Sequence, residues 1–160
     1  MESSSLVEEM KKKSRSFISR TRKIAQARQY LKRNRLMTLA TSQGGKPWCA
    51  TVFFAYDRKF NLFFFSRPQT RHCAHIAKNP SVAVAINHYQ LKNSVMGLQI
   101  QGRASSVPSK DISRRYKLYK SRFKWADDFK NDHALYIVRP REVHYIDKKF
   151  FGHSRRVRVV

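Results

Sequence analysis

Hydrophobic residues recur along the chain at two spacings, which separate one leading helix from a long region of strands. Over residues 17–34, four apolar residues fall at helical spacing among basic ones, which predicts an amphipathic helix packed on a domain. From Leu36 the spacing becomes two, as in strands with one buried face. Residues 1–16 have neither pattern and are predicted to form a basic flexible tail. The helical stripe is Ile24, Ala27, Tyr30 and Leu31.

The alternating segments predict strands that return antiparallel to one another. "LMTLAT" leads into the turn "SQGGKP", "WCATVFFAYD" is predicted to be one long strand, and "NLFFFSR" comes back against it. Residues 81–88, "SVAVAINH", are apolar on both faces, as in a barrel strand between two layers. Residues 97–107, "GLQIQGRASSV", alternate cleanly. The long strand places on one face Trp48, Ala50, Val52, Phe54 and Tyr56.

Two more helices and two closing strands complete the pattern. One helix is predicted over residues 70–79, and another over 111–123 with Ser109 and Asp111 as candidate caps. "ALYIVR" and "EVHYID", within residues 134–147, are predicted to be separate strands bent at Pro140. About six antiparallel strands with three peripheral helices indicate a mainly β (β-dominated α+β) barrel. We expect a single domain over residues 17–160, with its barrel core at 36–107. The apolar stripe of the last helix is Ile112, Tyr116, Tyr119 and Phe123.

Charge points to anionic partners. The 160 residues include 34 Lys and Arg against 10 Asp and Glu, a net charge of +24. Such a field attracts nucleic acid, acidic surfaces or phosphorylated cofactors. The apolar runs are too short for a membrane span, and the N-terminal residues do not resemble a secretory signal. Cys49 and Cys73 form no C-x-x-C motif, so we expect a cytoplasmic protein.

The sequence contains few side chains that could bind a metal or act as an acid, a base or a nucleophile. His72, Cys73 and His75 in "HCAH" would need a third metal ligand, and no carboxylate follows within about twenty residues, so we expect no metal. No Gly-x-Ser-x-Gly elbow, phosphate-binding Gly loop, paired carboxylates or histidine with a nearby orienting acid was identified. Any reaction is therefore expected to belong to a bound cofactor.

Two segments could contact an anionic or aromatic ligand. Aromatic strand residues could stack on single-stranded nucleic acid, although core packing is the favoured interpretation. Ser66, Thr70, Arg71 and His72 lie where a strand ends and a helix begins, and there hydroxyls, a guanidinium and free N–H groups suit a phosphate. A capped surface helix with a solvent-facing Arg would show the same residues. The aromatic residues are Phe53, Phe54, Phe63, Phe64 and Phe65.

The order of these motifs resembles a known family. "MTLATSQGGKPWCATVFFAYDRKFNLFFFSRPQTRHCAHIAKNPSVAVAIN" followed by "GLQIQGRASSV" is similar to the pyridoxamine 5′-phosphate oxidase-like split β-barrel family. That family shows Leu-Ala-Thr, a Gly-x-Pro turn, an aromatic strand pair, Ser/Thr-Arg-(His/Lys) and Asn-Pro. Within it, the leading helix and the closing "VHYID…FG" resemble the small uncharacterised YhbP-type (UPF0306-like) bacterial proteins. The resemblance implies a split antiparallel β-barrel.

The resemblance also implies a homodimer that binds flavin mononucleotide (FMN) between its subunits. Its phosphate would lie on Thr70, Arg71 and His72, with Ser66 at the strand end next to Phe65. The isoalloxazine would lie against the backbone of Ala50, Thr51, Val52 and Phe53. Gln99 or Gln101 would lie near the ring or the partner subunit.

The chain departs from the true oxidase in ways that argue against pyridoxamine phosphate as its substrate. Ala50 and Ala55 stand where the oxidase carries Arg and Lys, and the oxidase's substrate-binding tail is not recognisable in "KKFFGHSRRVRVV". Members of the superfamily bind flavin, deazaflavin or haem, and some retain none.

Three functions are therefore open. The first is an FMN-dependent oxidoreductase of flavin reductase-like activity, with a small-molecule substrate or nicotinamide electron donor. The second is a haem-binding split barrel. The third is a non-enzymatic module in which the basic tail binds nucleic acid or another polyanion. The candidate haem ligands are His72, His75, His88, His144 and His153.

A dimer is also expected on physical grounds. The strands at residues 47–56 and 81–88 carry apolar side chains on both faces, which is more than one barrel lumen and three helices can cover. A second subunit is the simplest cover, and two-fold pairing is the commonest arrangement.

Overall fold

Eight strands and their connecting helices form the described part of the molecule. The computed structural model describes residues 19–87, 95–151 and 156–160, so the predicted tail at 1–16 lies outside it. The elements in chain order are α1 (Arg20–Arg33), β1 (Leu36–Gln43), β2 (Lys46–Phe53), β3 (Ala55–Tyr56), β4 (Leu62–Ser66), α2 (Arg71–Lys78), β5 (Ser81–Asn87), β6 (Met96–Ser106), α3 (Ser109–Arg122), a 3-10 helix (Lys124–Phe129), β7 (Ala134–Asp147), α4 (Lys148–Phe151) and β8 (Arg156–Arg158).

The strands form one antiparallel sheet that curls into a split barrel. Its order is β2-β1-β5-β6-β7-β4-β3, with β8 paired to β7. The β1–β2 hairpin turns at Gly44 and Gly45, whose φ values of 56° and 73° suit glycine in a tight turn of this type. Strand β2 and the β3–β4 pair are the two ends of the path, and no described residues pair them along the backbone. The fold class predicted from the sequence is confirmed.

Helix α1 closes one end of the barrel, as its stripe predicts. Ala27, Tyr30 and Leu31 are buried in the core, and Ile24 packs against it. The helix begins after Ser19, whose hydroxyl accepts a hydrogen bond from the Arg22 N–H at 3.3 Å.

Two predicted strand boundaries are wrong. The segment at 47–56 is not one strand, because the chain leaves β1 at Phe54 to pair β3 with β4; the Phe54 N–H instead donates to the Arg35 carbonyl at 3.0 Å. Conversely, β7 runs continuously through Pro140. A β-bulge opposite Gly102 accommodates the bend. A Cβ on Gly102 would lie 2.4 Å from the Arg139 carbonyl oxygen, so this position requires glycine.

Helix α3 also differs from its prediction. It begins at Ser109 after Pro108, so Ser109 and Asp111 lie in its first turn, and no side chain caps it. Tyr119 and Phe123 are buried against β4 and β7 and Tyr116 packs beside them, but Ile112 is exposed. The stripe is shorter because the helix extends beyond the sheet.

The other face of the sheet is uncovered over β2, β1, β5 and β6 in the described residues. Alternate side chains there point away from the core, including both alanines of β5, so β5 is not enclosed between two layers as predicted. No Lys or Arg belongs to the central patch, although the chain carries 34 of them. We call this patch the outer face; it consists of Thr38, Ala40, Cys49, Thr51, Ala83, Ala85, Gln99 and Gln101.

None of the helices in the described ranges is both long and apolar enough to span a membrane.

Candidate cofactor site

An aromatic cleft lies where the two ends of the sheet approach each other. It has a volume of about 540 Å³ and joins β2, through Thr51, Val52 and Phe53, to Phe65 of β4. These four residues are among those that the sequence resemblance selects, and the fold brings them together. The opposite wall comes from α3 and the segment after it: Tyr119, Trp125, Phe129 and His133.

The walls of the cleft are held by ring contacts. Phe53 meets Phe123 and Trp125 at centroid distances of 5.4 and 5.1 Å, and Phe65 stacks on Tyr119 at 5.1 Å with 27° between the planes. Phe53 nevertheless remains 42% exposed. A concave, mostly aromatic surface of this kind suits a flat aromatic ligand.

Beside the cleft, the end of β4 and the start of α2 carry a cluster of hydroxyls around one imidazole. His72 Nε2 lies 2.7 Å from Ser66 Oγ and 3.2 Å from Thr70 Oγ1. Ser66 and His72 are buried, and Thr70 is half-buried. Three of the four residues predicted to hold a phosphate therefore form one hydrogen-bonded group.

Thr70 does not cap α2 as an ordinary surface helix would require. Its hydroxyl donates to the Arg67 carbonyl at 2.8 Å, and within the described part of the chain no side chain accepts from the first N–H groups of the helix. Those groups remain available to an anion. Arg71 is the first residue of α2; its side chain is exposed, and its guanidinium lies over the Trp48 ring at 4.5 Å from the centroid.

Cys73 adjoins this cluster from within the core. Burial raises the pKa of its thiol, but hydrogen bonds from His72, Thr70, Tyr136 and Ser66 outweigh that effect and lower the pKa to about 7. The thiolate is therefore substantially populated near neutral pH.

This pKa predicts a pH-dependent stability. Because the pKa is about 7 in the folded chain against an ordinary 9.0, ionisation of Cys73 stabilises the fold fully above pH 9 and loses its effect as pH falls through 7. In a Cys49→Ser background, the free energy of unfolding relative to Cys73→Ser should rise between pH 7 and 9. Urea denaturation across that window measures it, and a pH-independent difference would contradict it.

His133 is the site residue that sequence reasoning missed, and it corrects the expectation that no histidine has an orienting acid. Its Nδ1 lies 2.5 Å from Asp132 Oδ1, while Asp132 Oδ2 accepts from Arg67 Nε at 2.8 Å. The hydrogen bond from His133, above all, lowers the pKa of Asp132. The adjacent Asp-His pair before β7 was the available signal. The pairing leaves Nε2 of a cleft-lining imidazole as a donor or acceptor.

The remaining predicted residues lie apart from the cleft within one subunit. Gln99 and Gln101 are exposed on β6, and β5 and β1 separate that strand from β2. At about 4.8 Å per strand this is roughly 14 Å. Ala50 is half-buried on the inward face of β2, between Trp48 and Val52.

The other chemistries considered from the sequence have weaker geometric support. Phe54, Phe63 and Phe64 are fully buried, as the core interpretation predicts, so they form no stacking platform. His75 Nδ1 is engaged with Thr41 Oγ1 at 3.2 Å. Within the described ranges, no group of three His, Cys, Asp or Glu side chains could hold a metal ion. His88 and His153 lie outside those ranges.

Sequence comparison assigns the class. Residues 24–147 match the family model described as pyridoxamine 5′-phosphate oxidase, and the chain belongs to that family.

Relatives of the YhbP type are among the proteins it matches. The UPF0306 protein PM1958 of Pasteurella multocida (strain Pm70) is 29% identical over 96 residues, which cover 59% of this chain and 64% of that protein. The chain thus spans less than two thirds of that relative. The UPF0306 protein YhbP of Escherichia coli O157:H7 is 23% identical over 120 residues, covering 74% and 80% of the two chains. The YhbP-type resemblance is confirmed.

Solved structures share the fold. A heme binding protein from Mycobacterium smegmatis is similar with a TM-score of 0.73 and 16% identity, over 89% of this chain and 58% of that one. An FAD-binding protein (mll6688) from Mesorhizobium loti has a TM-score of 0.64 and 20% identity, over 74% and 90% of the two chains. At these identities the likeness concerns the split barrel itself.

Proposed function

We propose that this protein is an FMN-binding oxidoreductase, of flavin reductase-like rather than pyridoxamine phosphate oxidase activity. The observation that carries the proposal is the aromatic cleft, because its β2 wall is the segment that the family resemblance assigns to the isoalloxazine and its β4 wall, Phe65, is among the residues that the resemblance assigns to the cofactor. FMN, when bound, supplies hydride and single-electron transfer. The protein's part is to bind the ring, hold the phosphate and position a proton donor.

The residues fit the two ends of FMN. Phe65 in the cleft and Ser66 in the hydroxyl cluster are consecutive at the end of β4, so the ring site and the phosphate site are one residue apart along the chain and lie on opposite faces of the strand. Thr70, Arg71 and the free N–H groups of α2 supply donors for a phosphate. Ala50 on β2 and Ala55 on β3 stand where the oxidase carries cations, so Arg71 carries most of the side-chain charge available to the phosphate.

His133 is the candidate proton donor or acceptor. Asp132 holds its Nδ1, which fixes the ring and leaves Nε2 to exchange a proton with a ligand in the cleft. Arg67 holds Asp132 in turn. This arrangement supports proton transfer coupled to reduction of a small substrate, with a nicotinamide as the electron donor.

We further propose that the functional unit is a homodimer formed through the outer face. The centre of the outer face, around Ala40, Ala83 and Ala85, is uncharged and small, so on so basic a chain it can pack against its own copy while Arg156, which donates to Gln99 at 3.3 Å, stays at the edge. Gln99 and Gln101, remote from the cleft within one subunit, would then be presented to the partner.

Titration of FMN, riboflavin, a deazaflavin and haem into the purified protein tests the cofactor. We expect FMN fluorescence to be quenched with micromolar affinity. Phe129→Ala, which removes an exposed ring from the wall of the cleft opposite β2, should weaken the quenching, whereas Thr21→Ala on the exposed face of α1 should not. A Soret band without flavin binding would instead favour a haem protein, and binding of none of the four would contradict the proposal.

A further inference from the structure

A second cavity, with a lining separate from that of the aromatic cleft, is lined by cations. It has a volume of about 440 Å³ and lies between the end of α1, β3 and the end of α3. Lys32, Arg35 and Arg122 contribute to its lining, and Tyr56 and Leu118 give it an apolar wall. None of these three cations forms an ion pair with an acidic side chain in residues 19–87, 95–151 and 156–160.

Arg122 is fixed in place, yet part of its guanidinium is unused. Its Nη2 donates to the Leu31 carbonyl at 2.9 Å and to the Asn34 carbonyl, which ties it to the end of α1. The guanidinium lies 5.1 Å from the centroids of both Phe54 and Tyr56. Its Nε is buried without a hydrogen-bond partner among the described residues. A buried charged donor left unpaired is costly, and an anion in the cavity would offset part of that cost through its charge.

The carbonyl ends of two helices do not neutralise this cluster. Both α1 and α3 end at the cavity, and each C-terminus is equivalent to roughly half a negative charge. Together they offset about one of the three positive charges, and no acidic residue lines the cavity. A net positive, concave and partly apolar surface remains.

We propose that this cavity binds a small phosphorylated molecule, with its phosphate between Arg35, Lys32 and Arg122 and its remaining part against Tyr56 and Leu118. The site is separate from Arg71 and does not depend on flavin binding. Arg122 is already anchored in its bound position, so it loses little freedom when the anion arrives.

Calorimetric titration with inorganic phosphate and with phenyl phosphate, in a low-salt buffer with chloride as the competing anion, tests the site. Arg35 is the residue to change, because Arg122→Ala would also release the end of α1. Arg35→Ala should weaken binding of both probes about tenfold or more, the loss expected for a charge-assisted hydrogen bond. Lys46→Ala, which removes one exposed charge from the β1–β2 hairpin, is the matched control and should bind as wild type does.

Three outcomes overturn the proposal. Phosphate could bind no better than chloride, or Lys46→Ala could lose as much affinity as Arg35→Ala, which would indicate a general effect of net charge. Loss of phosphate binding in Arg71→Ala with retention in Arg35→Ala would place the probe at α2 instead. That last result would support the FMN phosphate site while removing this one, so the two proposals fail independently.

Discussion

Arg71→Ala should weaken FMN binding by about tenfold to a hundredfold while leaving riboflavin binding unchanged. Arg71 is the first residue of α2, next to Thr70 and His72 of the Ser66–Thr70–His72 cluster. A lost charge-assisted hydrogen bond to a phosphate corresponds to about 1.5–3 kcal/mol. Riboflavin has no phosphate, so its binding affinity should not depend on Arg71. Fluorescence titration of the two ligands into both proteins measures the effect.

The same variant should fold nearly as well as wild type. Arg71 is exposed, and its contact with Trp48 at 4.5 Å is a surface cation–π interaction of about 0.5–1 kcal/mol. Arg71→Lys should recover part of the FMN affinity, because a point charge cannot reproduce the guanidinium fork. Arg58→Ala, in an exposed turn, controls for the loss of one charge. If Arg71→Ala binds FMN as tightly as wild type does, the phosphate site at the start of α2 is contradicted.

Ala85→Arg should convert the proposed dimer into a monomer. Ala85 lies near the centre of the outer face, paired with Thr38 on β1 and Gln99 on β6. Two-fold symmetry would bring a new charge from each subunit into the interface. An uncompensated buried charge costs about 3–5 kcal/mol, so the dimer dissociation constant should rise about a hundredfold or more.

Light scattering over a range of protein concentrations measures this change. Ala25→Arg makes the same substitution on the exposed side of α1 and should leave the dimer intact. Because the outer face carries Gln99 and Gln101, the monomeric variant should also lose FMN affinity. A wild-type protein that is monomeric at micromolar concentration would contradict both the interface and its role in the site.

The sequence predicts best where one local signal decides the structure. The α1 stripe, the Gly44-Gly45 turn and the alternation of β6 each depend on neighbouring residues, and the fold follows them. The end of β2 before Phe54 was not predicted, because apolar residues keep alternating there while the chain changes its pairing partner from β1 to β4. Pro140 suggested two separate strands, but the bulge opposite Gly102 lets β7 continue through the proline.

The candidate site was predicted in part. The cleft residues of β2 and β4 followed from the family resemblance, but the opposing wall comes from residues more than fifty positions later. The link between His133 and Asp132 required the two side chains to turn toward each other, which adjacency in sequence does not dictate. The cation-lined cavity that includes Arg122 is built from three segments that are distant in sequence, so no local pattern of residues predicts it.

A crystal structure of the protein grown with FMN tests the central claim most directly. The account predicts electron density for the isoalloxazine in the cleft between Thr51–Phe53 and Phe65, with the phosphate at Thr70 and Arg71. Density for the flavin at any other surface, or a cleft that stays empty of flavin at saturating concentration, would contradict it.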